Sequence, residues 1–490
     1  MISKLKLPLL LLLTIFSNPL FCQQSKKIKN VLLITVDDMN YNSVGVYGAS
    51  VPDITPNIDK LAAQGMRFEN AHVNIAVCAP SRGVLATGMY PHKSGIEGFF
   101  KTDKNVTSIV EVLKDENFLT GVLSKEEHSS PEEDTPWDVK RSRAKHLGNG
   151  RDANKYYNEV VSFIKRAKRE NKPFYLMANA NDPHRPFSGS DQEQRAWKNQ
   201  SIAPPSKIYL PNEVEVPAFL PDIPKVRQEI AEYYTSVRRA DDVVGAILKA
   251  LDESGKADNT LVMFLSDHGM ALPFAKTNCY LNSTKTPWIV RWPEVVKPKS
   301  VDNTHFISGI DFMPTVLDIL NIETPKEIDG RSFKKLLLGG KQEGRTYVYT
   351  QFHETSARER YPMRAIQDNR YLYIFSPWAD GKRKFRNESQ NGRTFKAMRE
   401  AAFTNEAIAN RVDLFVNRVT EEFYDLEKDP DALHNLIHNP SYKKRIEAYT
   451  AKLRKWMIDT EDLALEAFDN RYSKEFLALY MNKDQARNRK

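Results

Sequence analysis

Four short clusters in this sequence carry residue types that could do chemistry together. Asp37-Asp38 and Asp267-His268 each set two metal-ligating side chains side by side. Their hard carboxylate oxygens suit calcium or magnesium, with a histidine the less usual partner. Cys78-Ala79-Pro80-Ser81-Arg82 is the most specific of the four. Pro80 suits a first helical turn, and residues 81–87 can continue as helix to Gly88. That puts Cys78 at a helix N-terminus, where free backbone amides and the dipole favour an anion. Taken alone, such a cysteine is either a low-pKa thiolate nucleophile or an inert core residue; in an exported chain it could also pair with Cys279 in a disulfide. The fourth cluster, Asn181-Asp182-Pro183-His184, offers a side chain able to move a proton. Each cluster by itself has an ordinary structural explanation, such as a strand-end turn for Asp37-Asp38 or a loop histidine for His268.

The elements that must position these residues are legible from apolar periodicity. Residues 31–36 form a continuous β-branched and apolar run of strand length, which suggests a strand buried on both faces of a parallel sheet. Residues 118–123, 174–178 and 260–265 read as further strands. Between them, Thr55-Pro56 opens a helix with Thr55 as its cap, and residues 156–168 and 224–251 have helical core spacing. The alternation predicts a doubly wound, mostly parallel α/β sheet, in which ligands sit beyond the carboxyl ends of the strands. Asp37-Asp38, His184 and Asp267-His268 all fall at such ends, on three different strands. From about Thr346 the pattern changes to short antiparallel strands at 347–349 and 371–374 and a closing helix over 442–456. These boundaries predict a catalytic domain over 28–340 and a smaller α+β subdomain with an antiparallel sheet over 345–480. The long Pro-rich stretch between Asn181 and Pro224 suits a substrate-facing insertion.

The run Cys78-x-Pro80-Ser81-Arg82 followed by Thr87-Gly88 resembles the signature of the type I sulfatases, enzymes of alkaline-phosphatase-like fold whose cysteine is oxidised to formylglycine (3-oxoalanine). The resemblance spans almost the whole mature chain. It is closest to the sulfamidase (heparan N-sulfatase) branch, through Asp182-Pro183-His184-Arg185, Lys276-Thr277-Asn278-Cys279-Tyr280, and His353-Glu354 with Tyr361-Pro362-Met363-Arg364. Phe423-Tyr424-Asp425-Leu426 resembles the family's C-terminal motif. The resemblance implies that Asp37, Asp38, Asp267 and His268, with residue 78, hold calcium (or magnesium). It implies a hydrated aldehyde at residue 78 that attacks sulfur, with Arg82 holding the diol and Lys125 and Lys276 on the sulfate. His184 then protonates the leaving group, and Arg185, His353 and Glu354 are candidates for sugar contacts. Two departures stand out. The family usually has Lys-x-His, whereas this chain has Lys125-Glu126-Glu127-His128, so His128 reaches the base position through a one-residue bulge, or Glu127 takes it, or the base is altered; His128 is favoured. Lys276 stands where the sulfamidase branch has arginine, and only arginine offers a bidentate fork.

Composition fits an exported enzyme. The 490 residues are 41% hydrophobic and 27% charged, with a formal net charge of +8 and pI near 9.0. That balance excludes a disordered chain and favours an anionic partner. No basic run interleaved with aromatics points to nucleic acid. Lys4 and Lys6 followed by an apolar run over 5–16 read as a secretory signal over 1–22, too short for a permanent membrane span; removing it leaves a charge of +6. Leu20 and Phe21 are poor neighbours for lipid attachment at Cys22. The expected protein is therefore periplasmic or secreted, without stable membrane insertion. It would act on a sulfated glycan and depend on a formylglycine-generating maturation enzyme. The alternatives are a phosphomonoesterase or phosphodiesterase of the same superfamily, and a non-catalytic glycan-binding relative; intact Cys78, Arg82 and both metal pairs count against the latter.

Overall fold

A computed structural model describes residues 28–487. The expected signal segment, with Lys4, Lys6 and Cys22, lies outside the described residues. The main sheet has eight strands: β1 (Asn30–Val36), β2 (Met66–Phe68), β3 (Leu119–Leu123), β4 (Val139–Arg141), β5 (Phe174–Ala180), β6 (Thr260–Ser266), β7 (Trp288–Arg291) and β8 (Ser300–Asp302). Their spatial order is β4-β3-β5-β1-β6-β7-β2-β8. Every strand but β7 runs the same way. β1 lies in the middle, paired in register with β5 (Thr35 opposite Asn179) and with β6 (Val36 opposite Ser266).

The uninterrupted apolar run of β1 has the expected cause. Leu32, Ile34 and Val36 enter one core, and Val31 and Leu33 enter another on the opposite face. The first core is closed by the helices Ala153–Arg169 and Pro224–Glu253, which contribute Tyr156, Phe163, Ile230 and Val237. The second is closed by Phe312–Leu320, through Phe312, Met313 and Val316. Both faces of the central strands are therefore dry, as a parallel sheet flanked by helices requires.

A second sheet, β9 (Val348–Glu354), β10 (Arg360–Gln367), β11 (Tyr371–Phe375) and β12 (Glu421–Asp425), is antiparallel throughout and carries the helix Lys443–Asp459. It joins the first core through Phe352, Met363 and Tyr373, and Gln351 N donates to Asn74 O at 2.8 Å.

Three local expectations need correction. Thr55 precedes the helix Pro56–Ala63 but its side chain does not cap it; it accepts from Gly45 N instead. The Asp241 carboxylate accepts from Asn57 N and Ile58 N, so a distant helix supplies the cap expected from Thr55. The strand read at 347–349 runs on to Glu354, because its partner β10 extends the ladder. The 181–224 connection contains a short helix, Asp191–Ala196. It also buries Tyr209, Val214, Phe219 and Leu220 in the main core, so much of it is packed structure and not a free insertion.

Candidate active site

The predicted clusters converge at the carboxyl ends of β1, β5 and β6. Asp37 follows β1 directly, and Asp38 turns into the left-handed region at φ 68°. Asp267 N donates to Val36 O at 3.1 Å and Asp38 N donates to Asp267 Oδ1 at 3.0 Å, so the two acidic pairs are tied by the backbone itself. Gly269 must lack a side chain, because a Cβ there would lie 1.9 Å from Asn282 O. That close approach seats His268, whose Nδ1 lies 3.0 Å from Gly269 O. Nε2 is thereby left to face Asp38 Oδ1 at 3.3 Å and Cys78 Sγ at 3.3 Å.

Cys78 opens the helix Cys78–Thr87, and Gly88 ends it in the left-handed conformation. Pro80 falls in the first turn, where its missing N–H is not needed; Ser81 N makes the first helical bond, to Val77 O. Arg82, one turn on from Cys78, shares its face. Its guanidinium is wholly enclosed. It donates to Thr35 Oγ1 at 2.7 Å, Asn179 Oδ1 at 2.6 Å, Asp37 Oδ1 at 3.2 Å and Asp267 Oδ2 at 3.0 Å. Lys125 pairs with Asp37, and Lys276 lies 3.0 Å from Asp38 Oδ1. Cys78 and Cys279 are both free thiols, which removes the disulfide reading. Burial, and then the Asp37 charge, push the Cys78 thiol well above its usual range. The unmodified sulfur is therefore not the ready thiolate that its helix position alone suggests.

The ligand atoms of Asp37, Asp38, Cys78 and His184 lie within 4.8 Å of one another, as do those of Cys78, Asp267 and His268. Three enclosed carboxylates packed this tightly repel one another, and burial followed by that crowding pushes Asp267 well up; Asp38 is pushed to about 7 by burial, with Lys276 opposing. Hard oxygens in such surplus fit a divalent cation between the two pairs.

A family model described as Sulfatase matches residues 29–322, and another, described as N-sulphoglucosamine sulphohydrolase, C-terminal, matches residues 267–380. The chain belongs to the sulfatase family. It is therefore a hydrolase of sulfuric esters or sulfamates, close to the sulfamidase branch. Human N-sulphoglucosamine sulphohydrolase is 28% identical, covering 89% of this chain and 91% of its own. An ulvan-active sulfatase of Formosa agariphila is 30% identical, covering 89% and 81%. A solved 2-O GAG sulfatase superposes with a TM-score of 0.67 at 22% identity, covering 89% of this chain and 93% of its own, and shares the fold.

In this sulfatase His184 is set by its neighbours. Arg151 and Arg239 grip the Asp182 carboxylate, and Arg151 also donates to His184 O at 2.9 Å. His184 Nδ1 is bonded to Arg185 O, leaving Nε2 as its free nitrogen. Burial, then Lys276 and Lys125, bring it down to about 3. The extra residue in Lys125-Glu126-Glu127-His128 is absorbed by a turn, with Ser124 and Lys125 both at positive φ and His128 N donating to Lys125 O at 3.1 Å. Glu127 is exposed, whereas His128 is half-buried, stacks edgewise on Phe99 and keeps Nδ1 unbonded. His128 and Ala79 border a cavity of about 500 Å³ lined also by Phe99, Phe100, Lys101 and Arg358.

The expected sugar-contact residues fare differently. Arg185 donates to Glu229 Oε1 at 2.6 Å and to Ala271 O, with its other terminal nitrogen unbonded. His353 is fully enclosed, bonded to Gln351 and beside Glu97. Glu354 is enclosed next to Gly98 with neither oxygen bonded. Neither His353 nor Glu354 makes a hydrogen bond or ion pair to the Cys78 cluster. Glu388, which the sequence reading passed over, does reach it: its carboxylate pairs with Lys276. No local motif marks it, since it comes from a turn more than a hundred residues away.

Proposed function

We propose that this chain is an exported sulfatase that removes O-sulfate or N-sulfate groups from a sulfated saccharide, with residue 78 acting as a formylglycine. The observation that carries the reading is the position of Cys78. Its sulfur sits 3.3 Å from His268 and 3.9 Å from Asp38, at a helix N-terminus, and Arg82, Lys125 and Lys276 surround the same acidic cluster. The names of the relatives, a human N-sulphoglucosamine sulphohydrolase and an ulvan-active sulfatase, support a saccharide substrate. Among the described residues no helix is long and apolar enough to cross a membrane.

Calcium (or magnesium) held by Asp37, Asp38, Asp267 and His268 would polarise the sulfate, and an aldehyde hydrate at residue 78 would supply a nucleophile. The chain's own residues supply the remainder. Arg82 bonds one oxygen of Asp37 and one of Asp267 and offsets their charge, which would hold both carboxylates in place as ligands. Lys276 and Lys125 place two ammonium groups where negative charge gathers on the sulfate. His184, neutral at rest, must first gain a proton at Nε2. An anionic sulfate beside Lys276 and Lys125 offsets the fields that hold it low, so substrate entry favours that proton, which is then passed to the leaving oxygen or nitrogen. His128, with its free Nδ1, is the candidate for the base.

The direct test has two parts. The peptide containing Cys78 should show the mass of an aldehyde in place of the thiol when the chain is made beside a maturation enzyme. Sulfate should then be released from at least one member of a panel of heparan, chondroitin and algal oligosaccharides, and aryl sulfates should turn over far faster than aryl phosphates. Preference for the phosphates would transfer the reading to a phosphoesterase.

Two further expectations follow from the same geometry. His184→Ala should slow substrates with poor leaving groups by about 10²–10³-fold and activated aryl sulfates far less; equal losses would remove His184 from the acid role. Calcium at 100 times its dissociation constant should raise the unfolding free energy by about 2.7 kcal/mol, read as a shift in thermal midpoint against a chelated sample. Asp267→Asn should remove most of that shift, and an unchanged shift would place the ion elsewhere.

A further inference from the structure

Lys276 has three N–H donors. It is enclosed, with 2% of its side chain exposed, and Asp38 takes one side of it at 3.0 Å from both carboxylate oxygens. Glu388 takes another, through a buried carboxylate oxygen, although its side chain as a whole is about a third exposed (32%). Glu388 stands on the turn Glu388–Asn391, and that turn is held without it. Asn387 Nδ2 donates to Thr277 Oγ1 at 2.6 Å, Gln390 Nε2 donates to Phe385 O at 3.0 Å, and Arg393 N and Thr394 N donate to the Glu229 carboxylate. The carboxylate is thus presented to Lys276 by a scaffold that does not need it. What it adds is one negative charge beside a cation expected to meet sulfate.

That charge acts unequally on what enters and what leaves. A sulfate monoester or sulfamate carries one negative charge, whereas hydrolysis yields inorganic sulfate, which carries two at neutral pH after releasing a proton. Coulomb repulsion scales with the product of the charges, so a fixed carboxylate opposes the product about twice as strongly as the substrate. We propose that Glu388 is a charge-selecting residue of the sulfate pocket, acting through Lys276 to disfavour dianions, so that inorganic sulfate is shed and phosphate monoesters are kept out while monoanionic sulfate groups bind. The inference rests on the sulfatase reading above and assigns to that site a discrimination its ligands alone do not supply.

The test is titration calorimetry on the calcium-loaded chain with two probes, inorganic sulfate as dianion and methanesulfonate as a monoanion that cannot be hydrolysed. Glu388→Gln, of the same shape, should tighten sulfate by roughly tenfold more than it tightens methanesulfonate, a difference of about 1.4 kcal/mol. Glu388→Ala should repeat the inequality, with both variants still unfolding in a single cooperative transition. An equal change for the two anions in both variants, or no change, overturns the role of Glu388 and leaves the sulfatase reading intact. Binding of neither anion to the wild-type chain, or binding unchanged by Lys276→Ala, also overturns the inference, whereas the sulfatase reading falls only if sulfate is released from no member of the oligosaccharide panel.

Discussion

Cys78→Ser loses sulfatase turnover by about 10⁴-fold or more while the chain stays folded. Serine is smaller by little and remains polar, and the pocket already offers it His268 Nε2 and the Asp38 carboxylate as hydrogen-bond partners. The stability cost is therefore about 1 kcal/mol or less. What the proposed mechanism loses is the sulfur whose oxidation would yield the aldehyde, since a hydroxyl lacks that route in oxygen-dependent maturation. Sulfate release measured beside thermal unfolding separates the two effects. Turnover at wild-type strength in the serine variant would refute the formylglycine mechanism, and a collapsed fold would show Cys78 to be chiefly a packing residue.

Arg82→Ala should fail in the opposite way, by losing the fold's local order together with the chemistry. The guanidinium is fully enclosed and bridges three strands: Thr35 and Asp37 on and after β1, Asn179 on β5, and Asp267 after β6. Truncation leaves Asp37 and Asp267 facing each other with their shared cation gone, and breaking a buried pair in this manner costs about 3–5 kcal/mol. The denaturant midpoint should fall while the slope of the transition stays near wild type, and turnover should be lost at every substrate. Added calcium should recover part of the stability, because it replaces positive charge at the same carboxylates. A midpoint within about 0.5 kcal/mol of wild type would mean that solvent reaches the cluster and that Arg82 does not hold it.

The two substitutions touch residues four apart on one helical turn, yet they separate chemistry from scaffold. The Cys78 sulfur lies against His268 and Asp38, while Arg82 lies among the strand ends against Thr35 and Asn179. Their spacing alone implies a shared face but not which side of the carboxylates each one occupies.

Much of this arrangement was legible before any coordinates. The buried parallel strands announced themselves by largely apolar runs, because a strand covered on both faces takes a polar side chain only where a buried partner meets it, as Arg82 meets Thr35 and Asn179. The acidic pairs and His184 could be placed at strand ends because polar residues abruptly follow those runs, and the doubly wound topology puts such ends together. The Cys78 signature is local, carried by five consecutive residues, and so survives in the sequence alone. What required the tertiary structure were the interactions between elements distant along the chain. The cap of the Pro56–Ala63 helix comes from Asp241, His184 is steadied by Arg151 and Arg239 on Asp182, and Lys276 meets Glu388 from the far subdomain. Likewise, His353 and Glu354 lie in a stretch that a family model matches, but only packing shows both side chains enclosed. A side chain's type and its near neighbours determine what chemistry it can do; which charge it ends up facing is decided by the fold, because charges on distant segments are brought within a few ångströms only when the cores between them close.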